Sequence, residues 1–348
     1  MNRGERALRL VILVPAMFAA LVLFGSPTSR CANEPQRWLP VDEAGWTVFK
    51  PSADSRIIYV SSSEGDDATG RFYASGDPAV GEDPFLPVDR VMAYQTLSAA
   101  LEQARDDHPD WVLLRRGDAW SEGIGSPPSG RSNTEPLVIA AYGEGTKRPQ
   151  IQLRGRATGV RFGIHEGFHN IAVVGLEFYA IRKDPASPEF SEEDRVKTGV
   201  SLFVSSKPRA HARRLLIEDC CFRYCGTTFQ LASDREVGTP PPVDQIVFRR
   251  NLVLGNYSRD SHSQGSYAAR IPILLEENLY DHNGWLIQEK GNRKAGGGAT
   301  KQALRSLRAS GDDYLLLLDA EGRPSRWVDE DNLNDPQTPL ERAGLNVM

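Results

Sequence analysis

Cysteine, an excess of positive charge and long apolar runs are all scarce or lacking in this chain, and each shortage closes off a class of protein. Four cysteines among 348 residues, Cys31, Cys220, Cys221 and Cys225, are too few for a disulfide-built scaffold, and a chain of this size does not need one. Cys220 and Cys221 are neighbours, so in a strand they point to opposite faces. Their plainest role is as small buried apolar residues, with a bond to Cys225 as the alternative. No second cysteine and histidine cluster at ligand spacing accompanies them, so no metal centre is expected. The formal charge is −5, and the first 30 residues, with four arginines against one glutamate, leave −8 on the rest. Nucleic acid is a poor partner for such a chain.

One uncharged run, Leu10 to Phe24, spans 15 residues, short of the about 20 that cross a bilayer. Arg3, Arg6 and Arg9 precede it, which is the charge asymmetry of an export signal. Residues 1–30 therefore read as a signal peptide, or as an N-terminal anchor if uncleaved, since no small-x-small cleavage site lies between Gly25 and Asn33. Arg30 beside Cys31 argues against lipid attachment. The expected location is periplasmic, extracellular or cell-surface, with membrane contact only through that segment.

What the chain does contain is one phrase written repeatedly. Ile246-x-Phe248-Arg249-Arg250-Asn251-x-Val253 returns as Ile273-x-Leu275-Glu276-Glu277-Asn278-x-Tyr280, 27 residues later, and Asn256 returns as Asn283. Upstream the phrase continues with less fidelity as Leu215 to Phe222 and Ile171 to Phe178. Each phrase is preceded by a shorter apolar segment: Val160 to Ile164, Val200 to Val204, Thr228 to Ala232 and Gly265 to Ala269. Repeats of this length with strand-like alternation indicate a solenoid, here read as four coils of two strands with loops of unequal length at one corner. The asparagines stacked at a common corner are expected to form a structural ladder of side-chain amides.

The N-terminal half adds Arg56 to Asp67, Thr96-Leu97-x-x-Ala100, and Asp110 to Trp120. With the repeats, over about residues 55–285, these segments resemble the right-handed parallel β-helix proteins of the pectate-lyase-like superfamily. The resemblance implies an all-β fold, a right-handed parallel β-helix (solenoid) with an N-terminal capping helix and an irregular C-terminal tail. The helix is expected over Gln95 to Asp106, capped by Thr96 or Ser98 and stopped by His108-Pro109. Domain boundaries follow: residues 31–285 the β-helix with its cap, and 286–348 a tail in which Lys301 to Arg308 reads as helical and Tyr314 to Asp319 as a strand. Gly70 to Pro87 reads as a long surface loop. The superfamily hosts lyases, hydrolases, epimerases and non-catalytic binding proteins, so the resemblance points to a polysaccharide or glycan partner without fixing the activity.

Chemistry is sought where polar residues are not needed for the fold. Asp260-Ser261-His262-Ser263-Gln264 gathers an acid, an imidazole, hydroxyls and an amide in one corner; His262 is the candidate base, Asp260 its partner, and His282 one coil later a third catalytic candidate. Gln264 and Asp281 are candidate substrate ligands. So is the basic corner Lys207, Arg209 and His211, extended by Arg213 and Arg214, because a polysaccharide lyase needs a cation beside the uronate carboxylate and a base for the C5 proton. Arg115 to Asp118 reads as an ion-paired turn. Asp66 and Asp67 read as turn caps, with Ca²⁺ as the alternative; otherwise no cofactor is expected, and the chain is expected to be a monomer. A glycoside hydrolase needs two carboxylates about 5 to 9.5 Å apart and no pair is visibly so arranged. A lyase is therefore slightly preferred, with a non-catalytic glycan-binding or adhesive surface protein as the alternative.

Overall fold

Strands that are apolar at every position must be covered on both faces, and this requirement organises the molecule. The computed structural model describes residues 37–155, 158–162, 167–191, 193–194, 198–204, 211–233, 243–256, 264–269, 273–281, 285–290 and 302–305, with the backbone alone at 198, 201–204, 231–233, 264–269, 280–281, 285–290 and 302–305. Residues 1–30, expected to be an export signal, and Tyr314 to Asp319 lie outside the described residues. No helix among the described residues is long and apolar enough to cross a membrane.

The chain is all-β with three largely parallel sheets. A nine-stranded first sheet runs in the order Phe72–Ala74, Arg56–Val60, Trp111–Arg115, Leu137–Tyr142, Phe168–Val174, Ala212–Glu218, Val243–Arg249, Ile273–Glu276 and Gln302–Arg305. Only its first pairing is antiparallel. A five-stranded second sheet holds Thr158–Phe162, Thr198–Val204, Thr227–Ser233, Gln264–Ala269 and Trp285–Lys290. A six-stranded third sheet holds Ala119–Trp120, Gln150–Gln152, Glu177–Tyr179, Cys221–Arg223, Leu252–Leu254 and Leu279–Asp281. From Phe168 onward the chain visits first, third and second sheet in turn, and each strand pairs in parallel with its counterpart one circuit later.

The repeated phrase is thus not one strand. It begins in the first sheet, turns a corner and ends in the third, so each circuit has three strands where two were expected. The corner is made by a residue in the left-handed region: Gly175 at φ 73°, then Asp219, Arg250 and Glu277 at φ 53°. The asparagine column follows that corner. Asn251 Oδ1 accepts from Cys220 N at 2.8 Å, its Nδ2 donates to Ile217 O at 3.1 Å and to Asn278 Oδ1 at 3.0 Å, and Asn278 Nδ2 donates to Phe248 O at 2.8 Å. Both amides are buried and fully engaged in joining neighbouring rungs, as the ladder requires. Asn283 lies outside the described residues.

The three cysteines after Cys31 are free and buried. No bond therefore joins Cys225 to Cys220 or Cys221, and burial pushes each thiol up to about 12. Inside the sheets, ring stacks run from rung to rung, Phe178 on Phe222 at 5.0 Å and Phe229 on Phe248 at 5.1 Å between centroids.

The helix is shorter than its sequence pattern predicts, Leu97–Leu101, with Thr96 as N-cap accepting from Ala99 N. Leu97 and Ala100 plug the core. Beyond it Arg105 is drawn off by Asp110, which takes its backbone N–H and guanidinium at 2.7 to 3.0 Å. That competition ends the helix before His108-Pro109 is reached. Lys301 to Arg308 is likewise corrected: Gln302–Arg305 is a strand paired with Ile273–Glu276, because a waiting sheet edge outweighs local helix propensity.

The outer face of the first sheet is covered by two segments, one of them read from sequence as a loop. Gly70 to Pro87 contains the edge strand Phe72–Ala74 and lays Tyr73, Val80 and Phe85 over Tyr59 and Trp111. Residues 37–50 form a strap that lays Trp38, Leu39 and Phe49 over Ala172, Leu216, Val247 and Leu274. Four anchors hold it. Arg37 bonds Glu276 twice, at 2.7 and 2.5 Å; Thr47 hydrogen-bonds Glu218; Arg250 donates to Ala44 O at 2.8 Å and lies over the Trp46 ring at 4.3 Å.

Candidate functional site

The expected catalytic corner falls mostly outside the described residues: Asp260, His262 and His282, together with Lys207 and Arg209. Gln264 and Asp281 are described by backbone only. Gln264 pairs between Thr227 and Trp285 in the second sheet, whereas Asp281 pairs with Leu254 in the third, so the two sit in different sheets. His211 is described, and it is not alone.

His211 closes a chain of three side chains. His169 Nε2 lies 2.7 Å from Asp107 Oδ1, and His169 Nδ1 lies 3.3 Å from His211 Nε2, with the two rings stacked at 5.6 Å and 20°. Asp107 stands in the left-handed region at φ 56°, at the end of the capping segment, and is 64% exposed. His169 is turned out of the sheet by a kink at Asn170, φ 57°, which recurs at Arg214 and Gln245 in the next two rungs. The kink lets Phe168 and Ile171, three apart, both face the core and leaves His169 on the outer face beside Arg213, its cross-strand partner. Arg214 bonds the Asn170 amide at 2.5 Å. Gly167 is required behind His211: a Cβ there would meet the ring at 1.8 to 2.4 Å. An imidazole backed by a second imidazole and a carboxylate has its tautomer and orientation fixed, the arrangement a general base needs.

At the other end of the same strands lies a groove of about 360 Å³. Its floor is made of small residues, Ala140, Ala141, Gly143 and Gly175, and its walls carry Trp46, Phe49 and Phe85. The floor is low because Val174 and Ala140 hold the positions that later rungs fill with Glu218, Arg249 and Glu276. Those three form a buried ladder of alternating charge under the strap. Arg249, 1% exposed, bonds Glu218 very closely and Glu276 at 3.0 Å. Burial pushes the Glu218 carboxyl above the ordinary carboxylate range, against the opposing pull of Thr47 and Arg249. Glu218 and Asp219 border the groove, and Asp219 is paired with Arg148 at 2.6 Å.

The turn Arg115 to Asp118 is ion-paired only in part. Arg115 pairs with Glu64 and Asp118 is bonded by the Ser61 and Ser63 hydroxyls, but Arg116 lines the groove and is half-buried. Asp66 and Asp67 cap backbone N–H groups at Ala68, Gln95 and Thr96. Among the described residues no group of three or more histidine, cysteine or carboxylate side chains is placed to hold a metal ion.

Set against known proteins, the chain matches no protein-family model and no curated protein. Among solved structures it is similar to a GH136 lacto-N-biosidase from Eubacterium ramulus, at 16% identity and a TM-score of 0.37, covering 66% of this chain and 45% of that one. The selenomethionine form of the same protein gives 15% identity and a TM-score of 0.37, covering 63% and 42%. The chain thus spans less than half the length of these structures.

Proposed function

We propose that this protein is an exported right-handed parallel β-helix of the pectate-lyase-like kind that acts on a polysaccharide by lyase chemistry, with His211 as the base. The β-helix reading is supported by the three-strand circuit and by the parallel pairing of every neighbouring pair of sheet strands except Phe72–Ala74 with Arg56–Val60. Export is supported by Arg3, Arg6 and Arg9 ahead of the apolar run from Leu10 to Phe24. The single observation that carries the chemistry is the Asp107–His169–His211 chain beside Arg213, at the basic corner expected to bind an acidic sugar. In the reaction the base takes the C5 proton of a uronate, the electron pair forms the C4–C5 double bond, and the C4–O bond to the next sugar breaks, its oxygen leaving to be protonated. Arg213 is the cation for the uronate carboxylate, and His169 is a positioning residue. A hydrolase working through Glu218 and Asp219 at the groove is disfavoured because each of these carboxylates is held by an arginine.

The test is a panel of acidic and neutral polysaccharides, followed by the absorbance of unsaturated products and by reducing ends. His211→Ala abolishes product formation, and His169→Asn lowers kcat with little change in KM and displaces the pH profile. Turnover unchanged in His211→Ala refutes the assignment. The second reading, a non-catalytic glycan-binding protein, is favoured by the pairing of those same carboxylates. It prevails if no polysaccharide is cleaved while binding persists.

A further inference from the structure

The groove over the first sheet is a binding surface separate from the histidine chain. His169 and Val174 stand near opposite ends of the strand Phe168–Val174, about 16 Å apart at the rise of an extended strand. Two charged side chains in the groove have no counter-ion among the described residues. Arg116 makes no side-chain hydrogen bond or ion pair there, although its neighbours Arg115 and Asp118 are both committed. Asp83 spends one carboxylate oxygen on Phe85 N at 2.9 Å and pairs with no cation. Arg116 and Asp83 line the same groove without bonding each other, while Glu218 and Asp219 at its far rim are neutralised by Arg249 and Arg148. A half-buried guanidinium offers a planar fork of donors suited to an oxyanion. The aromatic walls lower the local dielectric and strengthen its pull.

We propose that this groove takes a saccharide unit bearing an oxyanion, with the oxyanion on Arg116, the ring against Trp46 and Phe85, and a ring hydroxyl donating to Asp83. A uronate carboxylate and a sulfate ester present the same chemistry to the guanidinium. The volume of about 360 Å³ is within the range of small-ligand pockets, and the alanine and glycine floor leaves the sheet accessible to a flat ring. The inference rests on the carbohydrate reading of the protein but not on its lyase activity.

The test is calorimetric titration of the His211→Ala/Arg213→Gln protein, which leaves the ligand intact and lacks the cation of the histidine corner, with three oligosaccharides of one length: a uronate form, its carboxyl-reduced neutral counterpart, and a sulfated form. The uronate or the sulfated form, or both, binds roughly tenfold or more tighter than the neutral one, as a charge-assisted bond implies, and the difference shrinks with salt. Arg116→Gln brings the charged ligand down to the neutral affinity, Arg116→Lys retains part of the preference, and unchanged melting temperatures show both variants folded. Equal affinity for charged and neutral forms, or a preference that survives Arg116→Gln, overturns the proposal while leaving the carbohydrate reading standing. Failure of all three ligands to bind overturns both. Arg116-dependent binding by a wild-type protein that cleaves nothing removes the lyase reading and supports the groove.

Discussion

Replacing Arg249 with methionine tests the ion ladder beneath the strap. The guanidinium is 1% exposed between Glu218 and Glu276, themselves 1% and 3% exposed. Methionine keeps much of the volume and removes both charge contacts. Glu276 retains its two bonds from Arg37, so the carboxylate left stranded is Glu218, with Thr47 alone. Removing one partner of a buried pair costs about 3–5 kcal/mol, which lowers the melting temperature of a domain this large by about 10 °C. Burial already pushes the Glu218 carboxyl upward, and Arg249 is among the groups pulling it down; without Arg249 it rises further. A group whose folded pKa exceeds its unfolded pKa supports the fold fully below the unfolded value and loses that support as pH climbs through the folded one. The destabilisation by Arg249→Met is therefore small at acid pH, below the ordinary carboxylate range, and grows as pH climbs through the raised folded value of Glu218. Circular-dichroism melts across that range measure it, and Glu218→Gln combined with Arg249→Met recovers most of the loss. A loss independent of pH, or a double variant no more stable than the single one, refutes the reasoning.

Asn278→Ala takes from the Asn251 N–H and the Phe248 carbonyl their side-chain partner in the core and leaves the Asn251 side-chain amide only its bonds to Ile217 and Cys220. At about 1–3 kcal/mol for each buried group left unpaired, urea denaturation registers a loss of about 2 kcal/mol or more, and a loss below 1 kcal/mol speaks against the ladder. Cys220, Cys221 and Cys225, buried and with thiols pushed up to about 12, resist alkylation in the native protein and react together on unfolding, as mass spectrometry of labelled peptides reads; labelling of any one at the native-state rate of a free thiol contradicts their burial.

The repeats were legible because they are local. Apolar alternation in Leu215 to Phe222 and its three counterparts names the strands, and the asparagine column names the corner. What alternation does not encode is the turn within each phrase: Asp219, Arg250 and Glu277 take a left-handed conformation that nothing in their side chains announces, and only Gly175 at the equivalent position hints at it. The strap was missed for another reason. In residues 37–50 the apolar side chains are broken up by Pro40, Asp42, Glu43 and Gly45 rather than set in a strand's alternation, and their role comes from contacts such as Arg37 with Glu276, which lie 239 residues apart. Arg116 was read as part of an ion-paired turn because charge neighbours in sequence are plausible partners; in space Arg115 and Asp118 turn to Glu64, Ser61 and Ser63 and leave it out. Of the histidine chain, His211 was singled out with its basic corner, and His169 carried a weaker signal, an imidazole beside Asn170 in a strand whose other residues are apolar.

The strap also sets an order of events in time. It is among the earliest parts of this domain to be made, yet Glu276, which holds Arg37, belongs to a strand synthesised 239 residues later. The strap's other anchors arrive earlier, Glu218 and then Arg250, so its hold over Leu216 and Val247 tightens step by step as successive rungs are added. A chain interrupted before Glu276 lacks the Arg37 anchor and covers that apolar ridge less firmly, the kind of surface that chaperones and proteases recognise. A segment made before the strands it covers is therefore among the last to settle, and its full closure signals that the later rungs have arrived.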